Sequence, residues 1–237
     1  MLRCSSVRVI TMRIIDFHSH IFPRADHGSD GPDTTAKQLS ALKAAGVDIV
    51  AATPHFYPSR HNVTDFLERR DRAYGELTSL PESEGIRVMR GAEVLVCPGI
   101  DRMDGFSSLC LEGTSTVLLE MPLTESWGSG LLETVESIRY GELTPVMAHI
   151  DRYTEHQASL LSEIGVSFQL NASALCRLFG KKRFLRMIED GRIVALGSDL
   201  HGAADGCMKP FQRACRVIGE DALSEIMKKS AALAEIE

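Results

Sequence analysis

The sequence predicts an α/β fold of barrel type, built from parallel βα units, on three observations. Apolar runs of strand length end abruptly in a histidine or a carboxylate, as buried parallel strands do when they deliver a side chain to one face of a sheet. Segments of helical period lie between those runs. No Pro- or Ser-rich linker and no internal repeat breaks the alternation, so the chain reads as one domain.

Taken in order, the first strand is Ile14-Ile15-Asp16-Phe17-His18-Ser19-His20. Leu39, Leu42 and Ala45 then share one helical face, with Asp33 as the N-cap and Gly46 as the stop. The second strand, Ile49-Val50-Ala51-Ala52-Thr53-Pro54-His55, leads to a helix opened by Asn62 and striped by Val63, Phe66, Leu67, Tyr74 and Leu77. Val88-Met89-Arg90-Gly91-Ala92-Glu93 and Thr116-Val117-Leu118-Leu119-Glu120 follow as strands. A helix then sets Leu131, Leu132, Val135 and Ile138 against Glu133, Glu136 and Arg139. Pro145-Val146-Met147-Ala148-His149 is the next strand, and Leu160, Leu161 and Ile164 form a helix that Gly165 ends. Val166-Ser167-Phe168-Gln169-Leu170 is a further strand, followed by a helix with Phe184, Leu185 and Ile188 before Gly191. Ile193-Val194-Ala195-Leu196-Gly197-Ser198-Asp199-Leu200-His201 is the last strand, and one or two helices from Phe211 to about Leu233 close the chain. That makes about seven strands alternating with helices.

Composition limits the function classes. At 237 residues and 44% hydrophobic the chain can bury a full core. A net charge of −6 argues against nucleic acid as a partner. Cys4, Cys97, Cys110, Cys176, Cys207 and Cys215 are scattered without a CxxC pair, which reads as reduced thiols in a cytoplasmic protein. No apolar run is long enough for membrane insertion. Residues 1–11 carry Arg3 and Arg8 without the apolar region of a signal peptide. They read as a disordered extension or an upstream start ahead of Met12, leaving residues 12–237 as the folded domain.

The chemistry sits at the strand ends. His18 and His20 are two apart, so on a strand both imidazoles point to one face and reach one metal ion. Six of the eight histidines, namely His18, His20, His27, His55, His149 and His201, fall at or just after strand ends. Glu93 and Glu120 end apolar runs, where an unpaired buried carboxylate is costly unless a cation offsets it. For Glu93 the alternative is an ion pair with Arg90. Asp199 and His201 repeat the two-residue spacing on the last strand. A nitrogen and oxygen set without thiolate suits Mn²⁺, Fe²⁺ or Zn²⁺ and is unlike a structural cysteine-rich zinc site.

These segments, with Asp16-Phe17-His18-Ser19-His20-Ile21, Thr53-Pro54-His55, Gly91-Ala92-Glu93, Leu119-Glu120-Met121-Pro122, Ala148-His149-Ile150-Asp151-Arg152-Tyr153 and Ser198-Asp199-Leu200-His201, carry a resemblance. From Met12 onward the chain resembles the PHP (polymerase and histidinol phosphatase) superfamily. Within it, the chain is similar to the bacterial manganese-dependent protein-tyrosine phosphatases tied to capsule and exopolysaccharide synthesis. The resemblance implies a distorted seven-stranded TIM-like barrel and two or three divalent ions, Mn²⁺ first, with Fe²⁺ or Zn²⁺ as alternatives. It implies a first metal on His18, His20, Glu93 and Asp199, with Glu93 bridging to a second on Glu120 and His149. A third would take His55, His201 and the residue before Gly28. There the family has Asp-Asp-Gly and this chain has Asp26-His27-Gly28, so His27 or Asp26 completes that site. The partner implied is a phosphotyrosine protein, the Tyr-rich tail of a tyrosine kinase of polysaccharide export.

The implied reaction is attack of an activated water on phosphorus in line with the leaving phenolate. Arg152 is the expected phosphate clamp, with His55 and His201 as the catalytic histidines beside it. Arg60, His61 and Lys209 are further candidates for contacting phosphate or peptide. Lys209-Pro210 stands where the family tends to place Arg before Pro, which keeps the charge and loses the fork. The same chemistry on a small phosphomonoester, as in the histidinol-phosphate branch, is the alternative, and a catalytically silent PHP binding module is a third reading. Cys207 and Arg213 have the C-x5-R spacing of cysteine-dependent phosphatases, but Pro210 removes a backbone donor from the phosphate loop that mechanism needs.

Overall fold

A computed structural model describes residues 12–236, so the extension expected at residues 1–11 lies outside the described residues. Among the described residues nine strands and seven α-helices follow one another in a largely βα order. The strands are β1 (Ile15–Ser19), β2 (Ile49–Ala52), β3 (His55–Phe56), β4 (Arg87–Arg90), β5 (Glu93–Leu95), β6 (Thr116–Glu120), β7 (Thr144–Met147), β8 (Ser167–Asn171) and β9 (Ile193–Gly197). The helices are α1 (Pro32–Ala44), α2 (Val63–Thr78), α3 (Ser129–Tyr140), α4 (Glu155–Ile164), α5 (Lys181–Glu189), α6 (Lys209–Ile218) and α7 (Glu220–Leu233).

All strand pairs are parallel, as the βα alternation requires. They form a three-stranded sheet, β1-β2-β4, and a six-stranded sheet, β3-β5-β6-β7-β8-β9. Two runs expected as single strands are therefore each divided. The second breaks at Thr53-Pro54 between β2 and β3, and the third at Gly91-Ala92 between β4 and β5. Pro54 has no N–H for a ladder, and its carbonyl instead accepts from Glu93 N at 3.0 Å. Gly91 packs so near Thr53 that a Cβ there would lie 3.1 Å from its methyl group. The double break turns His55 and Glu93 into register with each other at the start of the second sheet.

At its other end the six-stranded sheet returns to β1. Asp199 N donates to His18 O at 2.9 Å and His20 N to Leu200 O at 3.2 Å. Just before these contacts the buried Asp16 carboxylate takes the place of a backbone acceptor, receiving Ser198 N at 2.7 Å. Burial pushes this carboxyl up to about 7, against the opposing hydrogen bonds from Ser198.

Helix ends follow local chemistry. Asn62 caps α2 through Asp65 N at 2.8 Å, as expected. Gly46 and Gly165 end α1 and α4 with left-handed backbone, φ +82° and +80°. Asp33 is not the cap expected of it: Gly31 holds that position, and Pro32 and Asp33 occupy the first turn, where proline's missing donor and a negative charge both suit the helix dipole. Thr154 and Gln157 form a reciprocal capping box on α4. The closing segment is two helices that meet at Gly219, with φ +82°. β1, β2 and β6 are buried along their whole length, so each is covered on both faces.

Candidate metal centre

The strands converge as the parallel topology demands, and a buried cluster of imidazoles and carboxylates lies where β1, β6, β7 and β9 finish and where β3 and β5 begin. Glu93 is its hub. Its Oε1 lies 2.6 Å from His149 Nε2 and 3.6 Å from His18 Nε2. Its Oε2 lies 2.9 Å from His55 Nδ1 and 3.3 Å from His20 Nε2. Asp199 Oδ1 stands 3.4 Å from His18 Nε2 and 3.6 Å from His20 Nε2. Glu120 Oε1 stands 3.4 Å from His149 Nε2. The His20 and His201 rings stack with centroids 4.1 Å apart. Arg90 is spoken for by Glu112 and Asp71, so the ion pair considered for Glu93 does not form.

Four groups of possible ligand atoms lie within 4.8 Å of one another: His18, His20 and Asp199; His18, Glu93 and His149; His55, Glu93 and Glu120; His20, His55 and His201. Eight of the nine expected ligands therefore meet. The ninth, His27, is exposed and joins none of these groups, but its ring stacks on His55 at 4.9 Å and lies 4.7 Å from His201. Asp26 faces away from the centre. Its carboxylate holds His20 Nδ1 at 2.7 Å, Gly28 N at 2.8 Å and His55 N at 2.9 Å. It thus fixes the tautomer that turns His20 Nε2 inward. Gly28 is indispensable to that loop, since a Cβ would sit 2.1 Å from His20 Cβ.

The residues fit a cation. Among the described residues His18 Nε2, His20 Nε2, His55 Nδ1 and Glu93 Oε2 are buried without an aligned hydrogen-bond partner, although they crowd together. Each such atom costs about 1–3 kcal/mol if nothing satisfies it. Coordination satisfies all four, and the donor set is oxygen and nitrogen throughout. The protein's own charges point the same way. Burial raises Glu93, but His18 and the contacts from His149, His20 and His55 outweigh it and hold the carboxyl well below its usual range. Burial likewise opposes ionisation of Asp199, and His18, Arg152 and His20 overcome it. Against the same penalty, Asp26 and Glu93 push His20 up to about 10, and Glu120 and Glu93 push His149 up to about 9. Burial lowers His18, and burial with the neighbouring His20 lowers His201 to about 4.

Backbone strain aims two of these side chains. His149 and Asp199 have φ of +34° and +51°, a region L-residues seldom occupy. His149 is held there by its N–H, which donates to Gln169 Oε1 at 2.6 Å. Gln169 Nε2 donates to Asn171 Oδ1 at 3.1 Å, and Asn171 Nδ2 to Asp199 Oδ2 at 2.9 Å. One amide relay thus positions both strained residues. Neither Gln169 nor Asn171 was singled out from sequence, although polar residues two apart in a buried strand are a usable signal. Thr53, quoted in the sequence only as part of Thr53-Pro54-His55, holds His18 Nδ1 at 2.7 Å.

Arg152 enters from the turn after His149. It ion-pairs with Asp199 and reaches within 3.7 Å of Glu120, with its side chain 34% exposed. Arg60 stands at the rim, over Tyr57, whose ring stacks on His55 at 5.1 Å. His61 Nδ1 accepts from Tyr57 N at 3.2 Å. Lys209 is exposed at the start of α6, and no ion pair joins it to the cluster among the described residues. Arg213 lies inside α6, so the Cys207 to Arg213 stretch is largely helix and cannot wrap a phosphate. A cavity of about 230 Å³ opens beside Asp199 and His201, backed by Ser198, Cys207 and Phe211.

Known proteins resemble this chain in sequence and fold. The family described as capsular polysaccharide synthesis, CpsB/CapC, matches residues 14–232. Tyrosine-protein phosphatase CpsB from serotype V and serotype Ia strains of Streptococcus agalactiae is 24% identical over 238 residues, covering 92% of this chain and 96% of the relative. A crystal structure from work on YwqE of Bacillus subtilis and CpsB of Streptococcus pneumoniae, described as unique metal-dependent tyrosine phosphatases, superposes with TM-score 0.78. It is 22% identical, and 94% of each chain is covered. An organophosphorus hydrolase variant from Deinococcus radiodurans superposes with TM-score 0.52 at 12% identity, over 94% of this chain and 92% of that one.

Proposed function

The chain belongs to the CpsB/CapC family of capsular polysaccharide synthesis, and on that premise we propose that it is a metal-dependent phosphotyrosine-protein phosphatase. One observation carries the reading: the imidazole and carboxylate cluster around Glu93, with four buried, unsatisfied donor atoms turned to its centre. We read the two sheets as arcs of one distorted seven-stranded barrel, closed through the contacts of β9 with β1, and residues 12–237 as one phosphoesterase domain.

His18, His20, Glu93 and Asp199 would hold one divalent ion, and Glu120 and His149 a second shared with Glu93. His55 and His201 would hold a third, with His27 completing it, because Asp26 is committed to His20 and to two backbone donors. Mn²⁺ is the expected metal. When bound, such ions lower the pKa of water and offset charge on phosphoryl oxygens. Arg152 sits where its guanidinium can take two nonbridging oxygens, releasing Asp199 as it does so. Glu120 and Asp199 keep that guanidinium at the mouth before substrate arrives. The cavity beside His201 accommodates the departing aryl group, and Tyr57 with Arg60 edges the opposite rim. The substrate is the Tyr-rich tail of a kinase of polysaccharide export, and the setting is cytoplasmic.

The test is hydrolysis of a phosphotyrosine peptide beside its phosphoserine analogue and histidinol phosphate, after chelation and again with Mn²⁺ restored. Metal-dependent release from phosphotyrosine alone is expected. Faster turnover of histidinol phosphate would replace the reading with a small-molecule phosphomonoesterase.

A further inference from the structure

The segment between β8 and the middle of α5 does not fit the rest of the surface. It reads Arg177-Leu178-Phe179-Gly180-Lys181-Lys182-Arg183, and Leu178 and Phe179 at its tip are 86% and 88% exposed. These are the most exposed large apolar side chains among the described residues. Around them stand Arg177, Lys181, Lys182, Arg183 and Arg186, and no Asp or Glu occurs from residue 164 to 188 of a chain whose net charge is −6. Local stability does not explain two of these cations. Lys181 and Lys182 occupy the first turn of α5, where the helix dipole disfavours cations, and no side chain caps that end. A breach of local preference without a structural return marks a functional surface.

We propose that this tip docks the protein on an anionic lipid surface. Shape selects the partner. A peptide needs a groove or a sheet edge, whereas a convex apolar pair ringed by cations suits the boundary between headgroups and acyl chains. No helix among the described residues is long and apolar enough to cross a membrane, and the proposed contact is a peripheral one made by the tip. The tip is braced against the catalytic mouth: Arg177 pairs with Asp151 at 2.9 Å, and Arg183 donates to Tyr153 O at 3.1 Å. Both anchors flank Arg152 in the chain. Docking would therefore turn the phosphate clamp toward the surface, a consequence that rests on the proposed activity while the docking itself does not.

The test is co-sedimentation of the full chain with vesicles of phosphatidylcholine alone and of phosphatidylcholine with phosphatidylglycerol. Binding is expected only to the anionic vesicles and should weaken as salt rises. Lys181→Gln with Lys182→Gln should weaken it about 25-fold, at about fivefold per cation. Leu178→Ser with Phe179→Ser should reduce it at constant charge. Circular dichroism and turnover of p-nitrophenyl phosphate check that these variants fold. No binding of the wild type, or equal binding by both double variants, overturns the proposal. A fall in kcat/KM for a phosphopeptide without vesicles would overturn it in favour of a peptide dock, and loss of a dimer would do so in favour of a second copy.

Discussion

Replacing Gln169 with leucine should unsettle the centre without touching a ligand. Gln169 is wholly buried, and its amide serves two partners, His149 N–H at 2.6 Å and Asn171 Oδ1 at 3.1 Å. Leucine is similar in volume, so a cavity contributes little. Two buried polar groups lose their partners, at about 1–3 kcal/mol each. Relaxation is limited, because a Cβ on Gly197 would lie only 2.4 Å from Gln169 Nε2, so the backbone of β9 presses directly on the amide. The expected loss is about 2–6 kcal/mol of an unfolding free energy on the order of 5–15 kcal/mol. Urea denaturation of the chelated protein measures it. His149 is also freed from its φ of +34°, and Asn171 no longer orients Asp199. Mn²⁺ affinity should therefore fall along with stability, by roughly tenfold or more, as for other outer residues that orient ligands. A stability loss below about 1 kcal/mol, or full stability loss with unchanged Mn²⁺ affinity, would refute the relay.

Arg152→Ala should cut kcat/KM on aryl phosphates by about 100-fold or more, the value of two charge-assisted hydrogen bonds, while metal content stays that of the wild type. Wild-type turnover, or parallel loss of metal by elemental analysis, would remove Arg152 from the phosphate. Chelated protein should be most stable near pH 6.5. His20 and His149 are raised to about 10 and about 9, so their contribution is complete below the unfolded value of about 6.5 and is lost as pH rises through 9 and 10. His18 and His201 are lowered, so their folded forms resist protonation and stability falls as pH drops below about 6.5. Protonation of Glu93 and Asp199 deepens that acid loss. Denaturation midpoints in EDTA across pH check this, and stability climbing from pH 7 to 10 would contradict it. His27→Ala should lower the Mn²⁺ bound per chain while His27→Asp keeps it, and an unchanged ratio in His27→Ala would place His27 outside the third site.

Much of the centre was legible in the chain because parallel strands obey a local rule. Each apolar run ends where its next polar residue reaches the mouth, so His18, His20, His55, Glu93, Glu120, His149, Asp199 and His201 announced themselves one strand at a time. Helix stops at Gly46 and Gly165 and the Asn62 cap are equally local. What required the tertiary structure was every assignment that depends on a distant partner. Asp26 and His27 are adjacent in sequence, and only the approach of His20 and the His55 backbone divides their roles. The breaks at Thr53-Pro54 and Gly91-Ala92 arise because neighbouring strands must pass from one sheet to the other together, a demand no single strand encodes. Asp16 completes the junction with Ser198 across 182 residues of chain, and Gln169 answers His149 across 20. Sequence periodicity states which face a residue takes. Burial decides which polar groups must find partners, and the folded topology decides which partners are within reach.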